Sequence, residues 1–342
     1  MGHVHTVQGL VASGELGLTL MHEHCLVDGT VWWKGQAREL WKRERFAQPV
    51  GAQNRGEVIY NNFWFRDNLV QTDINIAIEE LRYFMAFGGR SLVDLTQDST
   101  GRDPNALRYI SQVTGAHLVM GSGLYIEESL TEEERRRSPR DTANLIVAEF
   151  RDGVRGTGVR PGIIGEIGVA DVRRESEMNN LRAAAMAQRE IGCALNVHPP
   201  IWETKGNEIL DVLEEEGADL SRVIMSHCDP TLREYGYHNS LAKRGCYIEY
   251  DMFGLEIMTH EGWFLPSDGE KIEAVKRQVD LGNLDRLLVS GDMCFKICFR
   301  QWGGWGYSHI PEHVVPRLRQ AGLSAEQVHQ ITVENPARAL SF

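Results

Sequence analysis

The chain contains no run approaching the ~20 consecutive apolar residues that span a bilayer, and its start lacks the basic stretch and apolar core of a secretory signal. These absences point to a cytoplasmic protein with no membrane partner. A cationic excess is missing as well. The 36 Lys and Arg residues face 48 Asp and Glu, a formal charge of −12, whereas nucleic-acid surfaces and anionic membranes recruit clustered Lys and Arg. The expected partner is a small-molecule substrate, with no nucleic acid. Cysteine is sparse, six residues in 342, and no two form a C-x-x-C pair, which argues against a disulfide framework or a zinc-thiolate site. A dinucleotide fingerprint is also absent, because its nearest candidate, Gly156-Thr157-Gly158, precedes an apolar run instead of following one.

What the chain does have is a set of apolar runs that end in metal-binding side chains. Leu18-Thr19-Leu20-Met21 leads into His22-Glu23-His24, and alternation along a strand puts His22 and His24 on one face. Four later runs end the same way, at Glu166, His198, His227 and Asp292. One such residue has many structural explanations. Repetition at the ends of five strands has few, because strand C-termini form the face on which α/β folds build active sites.

Strands are expected near residues 17–24, 91–95, 117–121, 162–166, 194–198, 223–227, 245–249 and 286–291, with helical periodicity between most of them. Eight strands alternating with helices predict an α/β fold, a (β/α)8 TIM barrel formed by a single domain over 1–342. Two stretches interrupt the alternation. Residues 28–66 form a long insertion carrying Trp32, Trp33, Trp41, Phe63, Trp64 and Phe65, and residues 293–307 follow the last strand. Both emerge on the ligand face, where their aromatics suit either substrate-pocket walls or a subunit interface.

Six candidate ligands exceed the three protein groups of a single catalytic zinc, so a binuclear centre is expected. A natural division gives one ion His22, His24 and Asp292 and the other His198 and His227, with Glu166 between them. Zn2+ is the leading candidate, and Mn2+, Co2+ or Fe2+ also suit these donors.

With these residues in place, the chain resembles the phosphotriesterase family of the amidohydrolase superfamily. The resemblance runs from Gly17-Leu18-Thr19-Leu20-Met21-His22-Glu23-His24 through Gly165-Glu166-Ile167-Gly168 and Ser226-His227 to Glu334-Asn335-Pro336-Ala337. It is nearest the phosphotriesterase-related branch, through Ile248-Glu249-Tyr250-Asp251-Met252-Phe253-Gly254 and Gly303-Gly304-Trp305-Gly306-Tyr307-Ser308-His309-Ile310. The best-known members bridge their metals with a carboxylated lysine where this chain has Glu166, which weighs against organophosphate hydrolysis as the main activity.

The resemblance implies a metal-dependent hydrolase in which a hydroxide shared by two ions attacks a carbonyl, and Asp292 receives the proton and delivers it to the leaving group. Lactones or carboxylic esters rank first as substrates. The alternative is an N-acyl amide of an acidic amino compound, and a second alternative is a non-catalytic ligand-binding barrel. Tyr125 matches a tyrosine that relatives place over the metal pair. Lys296 and Arg300 are candidate contacts for an acidic substrate group. Glu23 is expected to face away from the ligands, and Gly291, where relatives often carry histidine, is expected to leave a roomier surrounding for Asp292. A homodimer is plausible from the resemblance and the tryptophans.

Overall fold

The computed structural model describes residues 2–256 and 264–342. The predicted strands all form, as β1 (Leu18–Glu23), β2 (Gly89–Asp94), β3 (His117–Ser122), β4 (Ile163–Gly168), β5 (Ala194–His198), β6 (Val223–Met225), β7 (Tyr247–Tyr250) and β8 (Leu287–Val289). They lie side by side in chain order, each parallel to the next. The seam between β8 and β1 is bridged by Ser290, whose Oγ donates to the His22 carbonyl (2.8 Å) and accepts from the His22 amide (3.0 Å). The Asp292 amide also donates to the His22 carbonyl. The result is a nearly closed (β/α)8 barrel.

The connecting helices are α1 (Ile74–Ala86), α2 (Pro104–Thr114), α3 (Pro139–Asp152), α4 (Glu175–Ile191), α5 (Gly206–Glu215), α6 (Tyr235–Lys243) and α7 (Asp268–Asp280). Local chemistry sets several of their ends. Asp103 and Ser138 accept hydrogen bonds from first-turn amides ahead of Pro104 and Pro139, and Ser267 with Glu270 forms a capping box. Gly115 and Gly192 close α2 and α4 in the left-handed region, which lets the chain turn directly into β3 and β5.

Strand register stacks the barrel interior. Val93 pairs with Val119, Ile163 with Ala194 and Ile224 with Tyr247, and all six lie in one buried cluster with Met21 and Leu288. The hairpin His3–Thr6/Gly9–Ala12 closes the opposite end of the barrel, where Val4 joins the same cluster. A second, larger core fills the layer between sheet and helices. Packing therefore stiffens the strands from both sides, and their C-terminal ends are left to carry chemistry. All six cysteines are buried and free. No described helix is long and apolar enough to cross a membrane.

His238 on α6 gives the fold a test in acid. It is buried, hydrogen-bonded to Tyr250 Oη (2.9 Å) and Thr231 Oγ1 (3.0 Å), and burial lowers its pKa from 6.5 to about 4. Between those values the unfolded chain binds a proton that the folded chain refuses, so stability falls as the pH drops through this window. At about 1.4 kcal/mol per pH unit the full loss approaches about 3 kcal/mol. Urea unfolding at pH 7 and pH 4.5 should show the stability difference between the parent and His238→Asn shrinking by about 2–3 kcal/mol in acid. An unchanged difference would remove His238 from this role.

Candidate metal centre

The barrel brings all six predicted donors to one end. β1 supplies His22 and, just beyond its last residue, His24; β4 supplies Glu166; β5 ends on His198; His227 and Asp292 follow β6 and β8. Five of the six are buried and His198 is half-buried. They form two groups, His22/His24/Asp292 and Glu166/His198/His227, each with ligand atoms within 4.8 Å of one another. Glu166 Oε1 lies 2.7 Å from His198 Nδ1, 2.8 Å from His227 Nε2 and 3.6 Å from His22 Nε2, so it faces both groups. Asp292 Oδ1 stands 3.1 Å from His24 Nε2 and 3.8 Å from His22 Nε2.

The donor chemistry fits two divalent cations. Imidazole and carboxylate groups converge without a Lys or Arg among them, and His22 Nε2 is buried with no hydrogen-bond partner among the described residues. Burial opposes ionisation of Glu166, but His198, His22 and His227 outweigh it and hold the carboxyl well below its usual range. Glu166 is thus an anion poised between two sets of nitrogens.

Three histidines are aimed by partners on their far side. Asp251, just beyond β7, contacts His22 Nδ1 (3.0 Å) and His227 Nδ1 (2.9 Å) and accepts from the His227 amide. Thr96 Oγ1 meets His24 Nδ1 at 2.9 Å. Each imidazole so held turns its other nitrogen toward the donor cluster. A further buried acid, Glu249, accepts from Asn196 and Ser226, and burial, then the Asp251 charge, push its pKa up to about 8. Sequence reasoning assigned neither acid a role. The available signal was alternation: Glu249 and Asp251 lie two apart at the end of an otherwise apolar strand and so share its inward face.

Two of the six candidate donors have left-handed backbones, His227 (φ 52°) and Asp292 (φ 45°), a conformation that costs non-glycine residues about 1–3 kcal/mol. At Asp292 the compensation is visible. The Glu23 carboxylate accepts hydrogen bonds from the amides of Gly291 (2.8 Å) and Met293 (2.9 Å) and lies 2.9 Å from Ser290 Oγ, clamping the turn. Glu23 therefore has the structural role expected of it. Gly291 does not leave the expected room, because a Cβ there would stand 2.8 Å from Met293 Cε and 3.0 Å from Glu23 Oε1.

A cavity of about 240 Å3 opens over the donors, and Tyr125 lines it with its Oη 3.3 Å from His198 Nδ1. Trp32, Phe63, Ile201, Met252, Leu265 and Phe295 supply apolar walls, so part of the aromatic insertion does serve the pocket. Lys296 and Arg300 do not reach this cavity. Lys296 turns outward to an ion pair with Asp67 (2.6 Å), and Arg300 pairs with Glu312 (3.1 Å) over the ring of Tyr83. Their assignment as substrate contacts is corrected accordingly: each is committed to an acid brought in by another segment. Lys296→Ala and Arg300→Ala should each leave kcat/KM within a few-fold of the parent and cost no more than about 1 kcal/mol of stability. A large loss of turnover without unfolding would contradict this placement. His309 is a buried structural histidine, bound to Asp268 and stacked on Trp305.

A model of the phosphotriesterase family matches residues 2–340. The chain belongs to the phosphotriesterase family. Family members use a binuclear metal centre, in agreement with the two donor groups, and the family's hydrolases make this chain a hydrolase. Among its relatives, human (Homo sapiens) N-acetyltaurine hydrolase is 35% identical over 347 residues, covering 100% of this chain and 98% of the relative. Among solved structures, a resiniferatoxin-binding protein from Rhodobacter sphaeroides superposes with a TM-score of 0.97 at 39% identity, covering 99% of this chain and 95% of the other. A mutant of the phosphotriesterase-like lactonase from Deinococcus radiodurans gives 0.78 at 26% identity, covering 99% and 100%.

Proposed function

We propose that this phosphotriesterase-family hydrolase cleaves small N-acyl amides with the help of two divalent metal ions, most simply Zn2+. The observation that carries the amide reading is the similarity to N-acetyltaurine hydrolases, at 35% identity along the entire chain. It reverses the ranking that put lactones and esters first. His22, His24 and Asp292 would hold one ion, and Glu166, His198 and His227 the other, with the Glu166 carboxylate between them. When bound, such ions polarise a scissile carbonyl and acidify water toward neutrality.

The chain's own groups supply the rest. Burial, then the Glu166 and Asp292 charges, raise the Tyr125 phenol well above its ordinary pKa, so it stays protonated and can donate to the substrate carbonyl. Asp292, held by its clamped turn, is placed to take a proton at a carboxylate oxygen and pass it to the departing amine. Asp292→Asn should retain metal while losing turnover, and retained turnover would exclude that role. The apolar walls keep bulk water from the reacting atoms.

Neither Lys nor Arg lines the cavity among the described residues, and residues 257–263 contain neither. An acidic substrate group therefore has no side-chain cation waiting at the described walls, and neutral N-acyl amines belong in the same screen as N-acetyltaurine. The lactonase reading has support of its own in Tyr125 and the Deinococcus radiodurans neighbour. The test is kcat/KM of the metal-loaded enzyme for N-acetyltaurine, a neutral N-acetyl alkylamine and a simple lactone. Turnover of an amide with little lactone turnover is expected. A lactone preferred over both amides by more than tenfold would overturn the proposal.

A further inference from the structure

Asn62 sits in the insertion, two residues past the short helix Arg55–Tyr60, and lines the cavity over the donor cluster. It is 1% exposed. Its main-chain carbonyl accepts from Asn68 Nδ2 at 3.2 Å, yet neither Nδ2 nor Oδ1 of its own side chain has a hydrogen-bond partner among the described residues. A buried polar atom left in this way costs about 1–3 kcal/mol, and native proteins rarely leave both ends of one carboxamide so exposed to that penalty. Trp32, Phe63 and Phe295 share the wall with it.

A ligand can supply what the protein withholds. A carboxamide presents one acceptor and a two-hydrogen donor, whichever way its ends are turned; a secondary N-acyl amide is trans, with N–H and C=O on opposite sides, so Asn62 can meet its N–H, which donates to Oδ1, while the carbonyl faces the donor cluster. An ester or lactone has no N–H for Oδ1, which would stay desolvated and unpaired in the complex. Sites that hydrogen-bond a substrate N–H discriminate strongly against analogues lacking it for this reason.

We propose that Asn62 is a substrate-positioning residue that recognises the N–H of an N-acyl amide, making the cavity select amides over esters of the same shape. This rests on the hydrolase reading above and adds to it a residue that no metal ligand could replace. The experiment compares an N-acetyl alkylamine with the acetate ester of the matching alcohol, using metal-loaded parent, Asn62→Leu and Asn62→Ser. In Asn62→Leu, kcat/KM for the amide should fall by about 10- to 100-fold, the equivalent of one lost hydrogen bond to a buried partner, while the ester changes by less than about threefold. Asn62→Ser, which keeps a donor and an acceptor, should recover part of the amide rate. Thermal unfolding of Asn62→Leu should stay level or rise, because an unpaired polar group has been replaced by an apolar one.

Equal losses on both substrates, or no loss on the amide, would overturn the assignment. A lower melting temperature in both variants accompanied by parallel losses on both substrates would make Asn62 a packing residue. A parent enzyme that cleaves the ester but no amide would instead defeat the amidase reading itself, and that result is read from the parent alone.

Discussion

Glu166→Ala is expected to reduce bound metal from about two ions per chain to one or none, and to lower kcat by about 10³-fold or more. Glu166 contacts His198 and His227 directly and approaches His22, so among the six donors it is the carboxylate that faces both groups. Without it, one side keeps two histidines, His198 and His227, and no anion from the cluster. The rate estimate follows from the several kcal/mol that metal ions contribute to stabilising developing charge, each 1.36 kcal/mol being tenfold. Metal analysis of protein purified without chelator, beside single-turnover rates, checks both halves. An alanine variant that retains two ions and near-parental turnover would dismiss the bridged pair.

Asp251→Ala should weaken metal retention by about 10- to 100-fold, although Asp251 lies on the far side of the histidines from the donor cluster. The loss removes the carboxylate from His22 Nδ1, which keeps Ser226 Oγ at 3.2 Å, and frees His227 Nδ1 and the His227 amide. The His227 imidazole would then be free to turn away from the site, and His22 would be held there by a neutral hydroxyl. His227 already has a strained backbone, φ 52°, and the Asp251 bond to its amide helps hold that turn. Chelator competition at fixed pH measures the effect. Thr96→Val is the comparison, because it removes one neutral partner from His24 alone and should cost distinctly less. Equal losses for the two variants would mean that the carboxylate contributes no more than a hydroxyl.

Much of the barrel was legible because the evidence for it is local. The run from Leu18 to His24 alternates as a strand must, Ser267 and Glu270 form a cap within four residues, and the six donors lie at the ends of five apolar runs. Strand direction in a (β/α)8 barrel then carries those ends to a common face without knowledge of any contact. The same locality explains the errors. Lys296 and Arg300 follow the last strand and carry the right charge for an acidic ligand, but charge in a loop says nothing of which acid will reach it first. Gly291 suggested space by its size, and the neighbouring Met293 and the Glu23 carboxylate fill that space.

By itself, the sequence determined the alternation of strands and helices and the candidate donor set at the strand ends, because periodicity and strand-end position are properties of a few adjacent residues. Only the tertiary structure decided which groups serve that set. Lys296 is withdrawn by Asp67 across 229 positions, and Glu23 clamps Gly291 across 268. Asp251 reaches two histidines on different strands, and Asn62 is delivered to the cavity by an insertion with no regular period. Each depends on how loops close over the barrel mouth, where hydrogen-bond partners and burial are set by packing between distant segments and leave no repeating mark along the chain.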